Sequence, residues 1–132
     1  MDDDESVGFQ RAVLTALAEE LGVCPKFGRA VGGVQPLVLF EQPVDPDSGC
    51  SVSVMLMVGH YWNVAQGDLS NTLTMDVSAP DATWIYPLAD MTQPGQPHDL
   101  GGVIAGALVQ TTIWRFFDRV QIGNLTVPAP AA

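Results

Sequence analysis

Between Ser51 and Trp62 the chain alternates with the two-residue period of a β-strand. Val52, Val54, Leu56 and Val58 fall on one face, and Ser51, Ser53, Met55 and Met57 on the other. A half-buried strand turns a polar face to water. Here the second face is also largely apolar, which predicts a strand that is central in its sheet or lies at an interface. Such a strand needs paired neighbours and a packed layer, so it constrains the rest of the fold more than any other segment.

Neighbours are legible on both sides. Asn71 to Ser78 alternates again, with Leu73, Met75 and Val77 against Thr72, Thr74 and Asp76. With Gln66-Gly67-Asp68 as the connection, it predicts a hairpin with the first strand. Upstream, Gln35 to Glu41 holds the apolar run Pro36-Leu37-Val38-Leu39-Phe40, with Pro43 and Pro46 expected to stop it. Asp45-Pro46-Asp47-Ser48-Gly49 reads as a tight turn. Thr83 to Tyr86 is a short strand candidate inside a stretch, 79–97, otherwise read as loop because of Pro87, Pro94, Gly95 and Pro97.

Two segments carry helical spacing. Val13, Leu14, Leu17 and Leu21 define one face of a helix over Val7 to Leu21, with Gln10, Glu19 and Glu20 at polar positions. The acidic start, residues 1–6, suits its N-terminus, and Gly22 is placed to end it in the left-handed conformation. Asp99 is a good N-cap for a second long helix over Leu100 to Val120. Gln121 to Val127 follows as a last strand, and 128–132 as a frayed tail. The expectation is one α+β domain over residues 1–132: a mostly antiparallel sheet of four to five strands with two long helices packed on it.

Charge narrows the function classes. The formal net charge is −10, and the basic side consists of Arg11, Lys26, Arg29, Arg115 and Arg119. Phosphate binding needs clustered basic residues, so a specific nucleic-acid groove is not expected. Only 15% of residues are charged while 47% are apolar, which favours a surface covered by a partner. The first residues are acidic rather than basic, and the apolar run near Val103 to Val109 is too short to span a bilayer, so a cytoplasmic protein without membrane contact is expected. Cys24 and Cys50 are expected to be reduced.

No residue stands out as catalytic, cofactor-binding or metal-ligating, and no small-molecule ligand is predicted. His60 and His98 lack ligand spacing around them. Asp45-x-Asp47-x-Gly49 echoes the start of a calcium loop, but Cys50 and Leu56 stand where the loop's glycine and glutamate belong. Gly101-Gly102 with Gly106 is not preceded directly by a strand, as a dinucleotide motif requires; Gly102 and Gly106 instead hint at close packing against another backbone. No serine has a nucleophile-elbow context, and Asn124-Leu125-Thr126 matches a glycosylation acceptor by chance. Tyr61, Trp62, Trp84 and Tyr86 are aromatic residues at strand ends, which pack a core, anchor an interface or line a pocket. Met55, Met57, Met75 and Met91 add soft surface.

Length, element order and the opening helix Gln10-Arg11-Ala12-Val13-Leu14-Thr15-Ala16-Leu17 resemble the tail-terminator proteins of long-tailed bacteriophages. The resemblance covers residues 7–127; the long 79–97 segment departs from it. It implies a homo-oligomeric ring at the head–tail junction of a virion, joined to other assembly proteins, through which DNA slides without sticking to an acidic wall. A small, acidic, dimeric binding module of the secretion-chaperone type is similar in composition and early element order. A third reading is a small enzyme or ligand-binding cone built from Tyr61, Trp62, Trp84 and His60 or Asp76, which would need a desolvated acid or base.

Overall fold

In a computed structural model the backbone is described for residues 3–63, 68–91 and 99–131, and side chains for 7–59, 71–91 and 99–131. The elements run α1 (Asp3–Leu21), β1 (Leu37–Asp45), β2 (Cys50–Asn63), β3 (Asp68–Ser78), β4 (Thr83–Asp90), α2 (Leu100–Leu108), a 3-10 turn (Ile113–Arg115), β5 (Arg119–Ile122) and β6 (Leu125–Pro128). The four long strands form an antiparallel meander in the order β1-β2-β3-β4. β2 is therefore central, as its two-sided apolar pattern requires.

Leu14, Leu17, Ala18 and Leu21 are buried along one side of α1. Ile104 and Leu108 do the same for α2, and Val120, Ile122 and Val127 for the β5–β6 hairpin. All join one cluster with Leu37, Val52, Val54, Leu56, Val58, Leu73, Met75 and Val77 from one face of the sheet, here called the inner face. Met75 belongs to this core rather than to a soft surface.

α1 ends as its sequence demands. Gly22 has φ 74°, its N–H donates to the Glu19 carbonyl, and the Val23 N–H donates to the Ala18 carbonyl at 2.8 Å. These are the two reversed bonds of a Schellman cap. A further helix-end carbonyl, Leu21 O, accepts from the Asn124 N–H at 2.8 Å. Asn124 sits in the β5–β6 turn beside Gly123, whose φ of 58° fits a two-residue hairpin. The turn thus seals the end of the helix.

Four sequence expectations are corrected. The single sheet of four to five strands is a four-stranded sheet plus a separate two-stranded one, because Gly123-Asn124 folds the predicted last strand into β5 and β6. β4 runs to Asp90, well into the segment read as loop; Pro87 is tolerated because β4 is an edge strand. Pro43 likewise lies inside edge strand β1 instead of stopping it. α2 is not long: it ends at Leu108. The β-branched run Thr111-Thr112-Ile113 disfavours helix. The Leu108 carbonyl accepts instead from the Thr111 hydroxyl (2.7 Å) and the Trp114 indole N–H (2.9 Å).

Candidate functional site

The other face of the sheet, the outer face, is where the residues depart from the core pattern. Register fixes its rows. Val38, Met55, Asp76 and Ile85 stand side by side across β1, β2, β3 and β4, and Met57, Thr74 and Pro87 form the next row. Val38, Met55, Met57 and Ile85 all stand outside the core cluster. Ile85 is 62% exposed, and Met55 and Met57 are half-buried.

Two polar side chains sit among them. Thr74 is only 3% exposed, yet its hydroxyl has no hydrogen-bond partner. Asp76, two residues along the same face, has a buried Oδ1 that is also unpartnered. Burial pushes the Asp76 carboxyl above its ordinary value of 3.8, because desolvation disfavours the charged form. A buried polar atom without a partner costs about 1–3 kcal/mol. Two of them side by side, flanked by exposed apolar side chains, describe a surface whose hydrogen bonding is incomplete in the single chain.

Charge sharpens this. Not one lysine or arginine falls in β1 to β4, which carry Glu41, Asp45, Asp68, Asp76 and Asp90. Three of the basic residues, Arg11, Lys26 and Arg29, lie instead on α1 and the loop that follows it. Arg115 pairs with Asp81 at 2.5 Å across an exposed contact.

That loop, 23–36, is braced. The Val38 N–H donates to the Lys26 carbonyl and the Gly28 N–H to the Pro36 carbonyl, so the segment lies along the β1 edge. Gln10, expected at a polar helix position, is buried and clasps it: Nε2 donates to the Gly33 carbonyl (2.7 Å) and Oε1 accepts from the Gln35 N–H (2.8 Å). The Arg11 guanidinium stacks 4.9 Å over the Phe27 ring. Gly32 and Gly33, with φ of 60° and 77°, make a two-residue turn between Val31 and Val34, which exchange backbone hydrogen bonds. Val31 is left 72% exposed at its tip.

The residues considered for chemistry do not converge. Trp84 pairs with Val77 and Tyr86 with Met75, and both aromatics are half-buried against the core. Asp76 faces the opposite side, so the cone of Trp84 and Asp76 is not assembled. The side chains of His60, Tyr61 and Trp62, and all of His98, lie outside the described residues. In the Asp45–Gly49 turn, Asp45 Oδ1 accepts from the Asp47 N–H at 3.0 Å. Cys24 and Cys50 are exposed free thiols. Gly102 packs against the capping Asp99 carboxylate of its own helix, and no described residue lies within 4 Å of a Cβ built at Gly106, so neither marks close backbone packing among the described residues.

A cleft of about 220 Å³ lies between Glu20, Leu21, Asp99, Leu100, Gly101, Asn124 and Leu125. Asp99, at its edge, is occupied in capping α2 by accepting from the Gly102 N–H. Among the described residues no group of three or more His, Cys, Asp or Glu is placed to hold a metal ion, and no helix is long and apolar enough to cross a membrane. Comparison with protein-family models, with curated proteins and with solved structures finds no match to this chain.

Proposed function

We propose that this protein is a structural assembly subunit that works by associating with copies of itself, in the manner of the tail-terminator rings its sequence resembles. The observation that carries the reading is the outer face: Met55, Met57 and Ile85 half-buried or exposed around the unpartnered Thr74 and Asp76. Closure of this face by another protomer would remove apolar area from water and supply the missing partners. In a ring at a head–tail junction, a chain of formal net charge −10 would let DNA pass without adhering.

The test is the assembly state of the wild type beside Ile85→Lys. The substitution is at an exposed position, so the fold should tolerate it. The reading expects the wild type to self-associate and the variant to fall to the protomer mass of 14.0 kDa, with an unfolding midpoint equal to that of the wild type at concentrations where both are monomeric. A strict dimer that captures an extended peptide on the same face would favour the chaperone-like reading instead.

A further inference from the structure

We infer that the occupant of the outer sheet face is the basic, valine-tipped loop 26–34 of a second copy, in a head-to-tail contact. The inference rests on the assembly reading above and says which two surfaces meet.

Charge complementarity carries it. The acceptor sheet has no lysine or arginine and centres its outer face on a carboxylate that lacks a partner. Lys26 and Arg29 are exposed on the loop and form no ion pair among the described residues. The chain therefore separates an anionic site from the cations that would answer it, and places them on different elements. Apolar matching agrees. Val31, the most exposed large apolar side chain described, stands at the loop tip, and the face offers Met55, Met57 and Ile85 around Asp76.

The loop is also pre-organised. Gln10 holds Gly33 and Gln35, the glycine pair fixes the tip, and Gln35 Nε2 donates to the Gly28 carbonyl at 2.6 Å. A braced loop loses little freedom on docking. Two different surfaces meeting head to tail generate a ring when the rotation closes, whereas the face meeting itself would stop at a dimer.

The test uses two blocked variants of the full chain. Ile85→Lys blocks the face and leaves the loop intact. Arg29→Ser with Val31→Ser blocks the loop by removing its cation and its apolar tip, and leaves the face intact. Each alone is expected to weaken association by about tenfold or more. Mixed, they should form a complex of two chains and no larger, because the intact loop of one fits the intact face of the other and the remaining ends are both blocked. Unfolding midpoints equal to that of the wild type, compared at dilutions where all three are monomeric, exclude misfolding.

A loop variant that assembles like the wild type overturns the inference and leaves the assembly reading standing. A mixture that stays monomeric also overturns it. A wild type that is monomeric throughout removes the assembly reading itself. Asp76→Asn adds a separate check: it should weaken association about tenfold and reduce its sensitivity to salt. No change in either would contradict the assigned ion pairing.

Discussion

Single residues set the limits of this fold. A Cβ at Gly123 would lie 2.1 Å from the Leu21 carbonyl oxygen, at a φ of 58°. Gly123→Ala is therefore expected to destabilise the protein by about 2–4 kcal/mol, read as a lower denaturant midpoint with unchanged slope. Gln10→Ala should cost about 1–3 kcal/mol, because it strips the buried Gln35 N–H of its acceptor; faster hydrogen exchange at Gln35 would report it. Asp76 gives a pH signature. Its raised pKa means that the folded chain holds the proton more tightly than the unfolded one. The cost of its charge is present above the folded pKa and is relieved as pH falls through it toward the ordinary value. In dilute, monomeric protein, Asp76→Asn should raise the unfolding temperature at pH 7, and the difference from the wild type should shrink as pH falls through the raised pKa and be gone below about pH 4. A pH-independent difference would contradict the burial argument.

At the scale of elements, the strand periods are legible because alternation is a local signal, and β2 and β3 follow it; β1 shows only as a short apolar run, its alternation broken by the register shift after Val38. The end of α1 is legible too, where Gly22 stands at the only position its cap allows. What was not legible depended on partners distant in sequence. β4 continues through Pro87 because no strand needs that missing N–H, which only the sheet order reveals. α2 stops early because Trp114, six residues on, reaches back to the Leu108 carbonyl. Trp114→Phe should cost about 1 kcal/mol by removing that bond while keeping the ring packed, measurable by equilibrium unfolding. The candidate site was half legible. The apolar second face of β2 left a central strand and an interface both open, and the alternation of β3 placed Thr74 and Asp76 together on one face without saying what surrounds them. Only the register, setting Asp76 between Met55 and Ile85, exposes them as unpaired polar atoms in apolar surroundings. Gln10 was misread for the same reason: its partners lie on a loop more than twenty residues away.

Across the described residues the helices and the β5–β6 hairpin pack on one face of the sheet and the charges are sorted: a sheet without lysine or arginine, and three of the basic groups on the first helix and the loop after it. The chain keeps an acidic character overall while its loop cations stand apart from the acidic sheet, the separation on which the proposed head-to-tail contact rests. The most direct test of that account is the absolute mass of the wild-type protein by light scattering across a concentration series. The account predicts a closed assembly at a fixed multiple of the 14.0 kDa protomer, dissociating on dilution and at high salt. A mass of 14.0 kDa at every concentration would contradict it.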